Sequence, residues 1–394
     1  MRMTKAKFKF IDLFSGIGGF HQALAAFGGR CVLASDIDAN AIKVYKKNYG
    51  IDSDINVRDV KDDMVPDHDV LCAGFPCQTF SKAGKQEGFL DQTRGTLFFE
   101  VARILNAKHP KYFILENVRN LVTHDNGNTF KVICETLRSL GYRIPKDALI
   151  LSPHQFGVPQ VRERVYIPGI YDPENSDKPL EINFEHLMKK EDNTIDTILD
   201  PAESDPYYKL SDHIIDVLTA WDEFYQGVDV KVIGFPVWSQ YFKTKTINSS
   251  FPQWKKDFVR KNQELYQRNK DFIDVWLKKW NNLKGFTPTE KKFEWQCGEN
   301  IKSIWEGVIQ IRPSGVRVKK PDIFPALVAL VQTPIIGKYK RKLSVRETAR
   351  LQSFPDSFIP DDNKQQAYKQ FGNSVNINVV KEIFKKLTNE NGPR

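Results

Sequence analysis

The sequence is short of the features that mark several protein classes. Its five cysteines (31, 72, 77, 134 and 297) are odd in number and include no Cys-x-x-Cys pair. That argues against a disulfide framework and a zinc site, so no metal is expected, and it favours a reducing cytoplasm. No apolar run approaches the ~20 residues of a membrane span. The basic N-terminus lacks the apolar core of a secretory signal, and no internal repeat or low-complexity tract is evident. Acid is scarce in one place: residues 251–350 hold 22 Lys+Arg against 10 Asp+Glu, a net +12. The whole chain totals +9, so everything else sums to −3.

What is there, at 394 residues, can bury a large core and fill two domains. All seven tryptophans lie between Trp221 and Trp305. One segment is thus basic and aromatic while the rest is nearly neutral. A polyanion partner fits that pattern, and a merely solvated charged face is the alternative.

The first half alternates strands, turns and helices. Phe8 to Phe14 reads as a first strand, Ser15-Gly16-Ile17-Gly18-Gly19 as a turn, and Phe20 to Phe27 as a helix. Cys31 to Ser35 is a second buried strand ending in Asp36-Ile37-Asp38, which together suggests a nucleoside-binding βαβ unit. His21 stands where the last glycine of G-x-G-x-x-G would fall, and this counts against NAD or FAD, whose pyrophosphate needs a close helix approach. A nucleoside without phosphates, such as S-adenosylmethionine, has no such need. Asp36 would then accept the ribose hydroxyls and Ile37 cover one adenine face; the alternative is a tight turn with a helix-capping Asp. Further strands are expected at Ile55 to Val57, before Gly74, and at Tyr112 to Leu115. Helical periodicity runs from Thr96 to Ala107 and from Thr129 to Leu140. Asp59, in Arg58-Asp59-Val60, would lie near an adenine amino group or simply end a strand.

The chain is organised around Gly74-Phe75-Pro76-Cys77-Gln78-Thr79-Phe80-Ser81. Pro76 fixes its own φ and pushes Phe75 toward an extended conformation, so the turn is sharp. Cys77 is thereby offered at a strand's C-terminal end, where open α/β sheets place their ligands. Residues 78–95 form a loop of lid-like length. Glu116-Asn117-Val118 puts a carboxylate at the end of another strand on the same edge, a two-residue constellation or a helix-capping acid. In Gln160 to Ile167, alternation places Arg162, Arg164 and Tyr166 on one strand face, able to grip a phosphate or base edge or to pair with surface acids.

After Tyr171 the character changes, and Asp172 to Asp177 is loop-forming. A long amphipathic helix is expected from about Lys255 to Trp280. Ile311 to Lys320 carries glycine, proline and the cations Arg312, Arg317, Lys319 and Lys320, a candidate DNA-contact loop or a basic surface turn. Ser344 is a good N-cap, and Glu347 three residues on fits a capping box.

Taken in order, these pieces resemble the bacterial DNA (cytosine-5)-methyltransferases of restriction-modification systems. The matching segments are Asp12 to Gly19, Gly74 to Gln78, Arg94-Gly95-Thr96-Leu97-Phe98, Glu116-Asn117-Val118, Gln160 to Arg164, Arg346 to Gln352, and Gln370-Phe371-Gly372-Asn373-Ser374-Val375. The resemblance does not cover Tyr171 to Gln310 in detail. It implies an α/β fold: a Rossmann-like S-adenosylmethionine-dependent methyltransferase domain, residues 1–172 completed by 338–394. A smaller, irregular target-recognition domain would span 173–337, after which a C-terminal helix returns to the catalytic domain. It further implies double-stranded DNA as partner, a monomer in the bacterial cytoplasm, and a cognate restriction endonuclease acting separately.

The implied chemistry explains the residue types. Cytosine C5 is a poor nucleophile until something adds to C6, and a thiolate does this well. Cys77 would be that nucleophile, Glu116 would hydrogen-bond N3 and the 4-amino group, Arg162 would hold O2, and Arg164 would support the loop or a phosphate. The cofactor, leaving as S-adenosylhomocysteine, would touch Phe14, Gly16, Gly18, Asp36, Ile37, Asp59, Val60, Leu97, Asn373 and Val375. Gln78, Ser81, Arg312, Arg317, Lys319 and Lys320 would meet DNA, from which the target base must be flipped. A tRNA cytosine-5 methyltransferase on the same scaffold is the alternative, and its relatives' Cys-Phe-Thr segment is not found here. A catalytically dead DNA-binding relative is opposed by intact Cys77, Glu116 and Arg162. A nicotinamide oxidoreductase leaves Cys77 unexplained. A papain-like hydrolase would need a partner histidine, and only His154 sits beside a motif.

Overall fold

The computed structural model describes residues 6–76, 97–230, 233–327 and 332–389. The chain divides into two compact units. The first runs to Asn193, takes in a short stretch from Pro325 and resumes at Thr348; the second spans Thr194–Phe324 and ends at Glu347.

The first unit is built on a sheet whose strands are β1 (Phe8–Leu13), β2 (Gly29–Ser35), β3 (Val70–Ala73), β4 (Tyr112–Val118), β5 (Tyr142–Arg143), β6 (Leu149–Leu151) and β8 (Arg164–Tyr171). A separate two-residue strand, β7, covers Gln160–Val161. Sheet order is β2-β1-β3-β4-β8-β5, with β6 also on β8. The first four strands pair in parallel and β8 runs antiparallel to β4. Helices α1 (Gly19–Ala25), α2 (Ala39–Tyr49), α3 (Leu97–Lys108) and α4 (Asn128–Ser139) follow their strands. Both faces are covered, so β3 reads Val-Leu-Cys-Ala and every residue of it is buried.

Register sets the functional edge. Leu13 pairs with Ser35 and Ala73, and Ala73 with Leu115. The next residues along three of the chains, Phe14, Asp36 and Gly74, therefore leave the sheet at one edge, where β4 runs on through Glu116 to Val118. Antiparallel β8 brings Tyr166 opposite Glu116 and Arg164 opposite Val118.

Three local expectations are corrected here. Ile55 to Val57 is not a strand: Asp54 makes one isolated bridge with Asp36, and the Asn56 side chain accepts from the Arg58 amide (3.1 Å), turning Val57–Asp59 into a 3-10 helix. Residues 160–167 do not form one strand. The Arg162 amide donates to Ser152 Oγ (2.9 Å) instead of joining a ladder, so Arg162 and Glu163 separate β7 from β8. Residues 173–193 belong to the first unit, tied by Leu180 N–H to Ile144 O (2.9 Å) and Met188 N–H to Gln155 O (3.1 Å).

The second unit contains α5 (Asp212–Gly227), β9 (Val237–Trp238), α6 (Gln253–Arg268), α7 (Lys270–Lys279), β10 (Lys292–Gln296), β11 (Val308–Arg312) and β12 (Gly315–Lys319). Its sheet is completed by Ile335–Ile336 and Arg341–Lys342. The single long helix expected from Lys255 to Trp280 is broken at Asn269 (φ −117°, ψ 27°). That side chain accepts from the Asp229 amide (2.9 Å) and donates to Asp229 Oδ1 (2.8 Å) and Leu265 O (3.1 Å), a competing local bond set that interrupts the helix. Residues 311–320 are no loop: Arg312 pairs with Gly315 and Ile311 with Val316 in a β-hairpin. The tryptophans divide. Trp221, Trp276 and Trp295 are buried, Trp221 stacking on Phe293 at 5.0 Å, so much of the aromatic content is core.

The last helices are α8 (Val345–Leu351), α9 (Lys364–Asn373) and α10 (Ile377–Asn389). The capping box is present: Ser344 N–H donates to Glu347 Oε2 (2.7 Å) and Glu347 N–H to Ser344 Oγ (3.2 Å). Glu347 is wholly buried and also accepts twice from Arg341, at 2.7 and 2.9 Å.

Candidate active site

A cavity of about 600 Å³ opens at the common strand edge of the first unit. One end is the turn after β1. Phe14 there adopts φ 55°, left-handed for a bulky residue, and Gly16 follows at φ 53°. Asp36 braces this turn: its Oδ2 accepts from the Gly16 amide (2.7 Å), and its Oδ1 from the amides of Ile37 (2.7 Å) and Asp38 (2.8 Å). The helix-capping acid is Asp38, which accepts from the Asn40 and Ala41 amides at the start of α2. Ile37 lines the cavity although 75 % exposed, an apolar side chain with an uncovered face.

Gly18 serves the turn from behind. Its φ is 86°, and a Cβ there would stand 2.3 Å from the Tyr49 ring. His21 takes the place of the missing glycine by pointing away from the cavity, stacked on Tyr49 at 3.9 Å with Nδ1 2.7 Å from Tyr45 Oη. Burial lowers its pKa to about 4. Gly19 permits a second close approach: a Cβ would meet Ser374 Oγ and Val375 Cγ2 at 2.7 Å. The first and last motifs thus meet at the cavity, whose wall includes Asn373 and Val375. Asp59 and Val60 are not on that wall. Asp59 is exposed and Val60 buried in the core, while Asn56, Val57 and Arg58 line the cavity instead.

The other end holds the acid and the arginines. Glu116 is nearly buried, with Arg164 Nε 3.2 Å from its Oε1. Burial pushes its carboxyl above the usual range, and Arg164 and then Arg162 pull it back. Arg162 is 3 % exposed and donates through Nη2 to Ser374 O (2.9 Å) and through Nη1 to Leu327 O (3.4 Å). Burial lowers its pKa to about 10. Its Nε and Ser15 Oγ are both buried with no hydrogen-bond partner among the described residues. Asn117, to which the sequence pattern gives no role, donates from Nδ2 to Phe75 O (2.7 Å). It ties β4 to the Gly74-Phe75-Pro76 turn, all three of which line the cavity. Leu97 and Lys369 are there too, with Lys369 Nζ 3.8 Å from Asp38. Cys77, Gln78, Ser81, the loop to residue 95 and Thr96 lie outside the described residues.

In the second unit the expected DNA residues lie on or beside the β11–β12 hairpin. Arg312 closes it, Lys319 and Lys320 end it, and Arg317 is held by Glu294 through Nη2 (2.7 Å) and Nε (2.8 Å).

The family model for C-5 cytosine-specific DNA methylases matches residues 8–389, which takes in both ends of the cavity. The chain belongs to that family. It is a DNA (cytosine-5-)-methyltransferase, and its relatives carry type II methyltransferase names. It is 33% identical to M.AluI of Cellulosimicrobium cellulans, over 98% of this chain and 92% of that protein. It is 33% identical to M.HhaI of Haemophilus parahaemolyticus, over 95% and 92%. The solved structure of S. pombe Dnmt2 covers 98% of this chain and 99% of its own, with TM-score 0.52 and 18% identity, and so shares the Rossmann-like fold of the methylase. No helix among the described residues is long and apolar enough to cross a membrane.

Proposed function

We propose that this methylase transfers a methyl group from S-adenosylmethionine to C5 of a cytosine turned out of duplex DNA, with Cys77 as the nucleophile. The observation that carries the reading is the convergence of Glu116 and Arg162 on the Gly74-Phe75-Pro76 turn, whose next residue in the chain is Cys77.

The residues present fit the cofactor. Ile37 offers an exposed apolar face for a purine, Asp36 Oδ2 accepts only one described amide bond, and Ser15 Oγ lacks a described partner. When bound, S-adenosylmethionine supplies an electrophilic methyl group on a sulfonium. The chain's own groups do the rest. The Cys77 thiolate forms a bond to C6 and the C5=C6 pair shifts through C4 toward N3; its return makes C5 the nucleophile for the methyl group, whose bond to sulfur would break to leave neutral S-adenosylhomocysteine. Glu116, whose carboxyl burial makes easier to protonate, shares a proton with N3 as charge develops there. Arg162 directs its unpartnered Nε toward the base's O2. The C5 proton then leaves to a base, the C6–S bond breaks, and Cys77 departs as thiolate.

The second unit is the target-recognition domain on this reading, supported by the net +12 of residues 251–350 and the cations of the β11–β12 hairpin. The relatives' type II names support a separate cognate restriction endonuclease. Cys31, Cys72, Cys134 and Cys297 are free and buried, which suits a monomer in a reducing cytoplasm. Bisulfite sequencing of DNA from cells expressing the chain should show one short sequence in which a single cytosine resists conversion. Fully converted DNA, with methyl transfer found on tRNA instead, would overturn the reading.

A further inference from the structure

One surface of the second unit is not absorbed by the recognition hairpin. The rings of Trp254, Phe258, Trp238, Tyr241 and Phe251 form a chain of neighbours with centroids 6.1, 5.7, 5.8 and 6.4 Å apart. None of the five is buried, and Trp254 is 58 % exposed. Lys255 Nζ stands 3.7 Å over the Phe251 centroid. The inner face of α6 is already satisfied by buried Val259, Leu265 and Tyr266. Trp254, Phe258 and Lys261 repeat at i, i+4 and i+7, so they form one stripe along the helix. From Trp238 to Lys261 the sequence has six Lys/Arg and a single acid, Asp257.

We propose that this surface, residues 238–261, binds single-stranded DNA by stacking unpaired bases on Trp254 and the half-buried rings beside it while the lysines meet phosphates. A contiguous apolar face with a polar rim marks an interaction site. Lys243 is held by Asp274 and Arg260 by Asp257, and the remaining Lys245, Lys255, Lys256 and Lys261 favour a polyanion over an apolar protein partner. Ring faces add nothing against a duplex, whose base faces are hidden, but stack on any unpaired base regardless of sequence. The rings thus have a role that the β11–β12 hairpin does not, holding strand that is already unpaired. This role rests on the functional reading only in naming DNA as the polynucleotide.

Fluorescence anisotropy with labelled oligo(dT), which contains no cytosine, tests it on the full chain. Trp254→Ala, at an exposed position, should weaken oligo(dT) binding by about tenfold. Lys255→Glu with Lys256→Glu should flatten the dependence of log affinity on log salt. Methylation of a duplex carrying the target should stay within about twofold for Trp254→Ala, as a site used only for unpaired strand requires. Failure of oligo(dT) to bind the wild-type chain would overturn the proposal. So would affinity unchanged in Trp254→Ala, even if the lysine variant bound less, since that would leave charge without stacking. Absent methylation with tryptophan-dependent oligo(dT) binding would count against the functional reading and leave the surface supported.

Discussion

The two units use similar residues for opposite ends. In the first, polar and charged side chains are buried where the strands stop: Glu116, Asn117 and Arg162 are all under one-tenth exposed. Such burial is costly unless each group is paired or serves a ligand. In the second, the conspicuous residues are aromatic, and the largest are simply core, as with Trp221 against Phe293 and Trp276. Buried polar groups at a strand edge therefore point to chemistry, whereas a run of tryptophans in a basic segment points first to packing. Only the rings left uncovered, led by Trp254, retain a claim to binding.

The strongest way to break this contrast is through the tryptophans themselves. Trp221→Ala should destabilise the protein by about 3–5 kcal/mol, because a wholly buried ring leaves a cavity. Trp254→Ala should stay within about 0.5 kcal/mol. Thermal melts followed by near-UV circular dichroism would read both, and equal losses would erase the distinction between core and surface rings.

Glu116→Gln tests the other half. It keeps shape and burial but removes the shareable proton, so methylation should slow by roughly 10²–10³-fold. The protein should still fold and bind target DNA. The raised carboxyl pKa also fixes a direction: activity that needs protonated Glu116 falls as pH rises through its folded value. A glutamine variant with near-normal turnover would make Glu116 a structural acid only.

His21 gives the smallest effect and sharpens the boundary between site and support. Its pKa is lowered to about 4 in the fold, against an ordinary value near 6.5. The unfolded chain therefore binds more protons between those values, and stability present above about pH 6.5 is lost as pH falls toward 4. Urea melts should show His21→Phe losing less stability than the wild type over that window, by at most a few kcal/mol. Parallel curves would mean His21 titrates alike in both states.

The sheet edge was legible in the sequence because backbone geometry demanded particular residues there. Positive φ at Gly16 and Gly18, and the close packing at Gly19, need residues without side chains. Acids at strand ends were visible because they close apolar runs, and Phe14, Asp36, Ile37, Glu116, Arg162 and Asn373, each expected at the site, line one cavity. Side-chain bonds that redirect the backbone were not legible. Ser152 Oγ drawing Arg162 out of a strand, Asn56 curling residues 57–59, and Asn269 breaking a helix each depend on a partner fixed only in three dimensions. The same holds for Asn117, whose use appears once Phe75 lies 2.7 Å away. Spacing also concealed that Arg317 is held by Glu294, since pairing across parallel strands leaves no local pattern.

Covalent catalysis by Cys77 is the claim on which the mechanism turns. Duplex DNA carrying 5-fluorocytosine at the target position cannot lose its C5 substituent as a proton after methyl transfer. With S-adenosylmethionine present, the wild-type chain should then remain joined to the strand and migrate as a denaturant-resistant complex on a gel. Cys77→Ser should give neither complex nor methylation while still binding target DNA, and serine at Cys31, Cys72, Cys134 or Cys297 should leave trapping intact. Comparable methylation by Cys77→Ser, or a trapped adduct mapping to another cysteine, would contradict the mechanism.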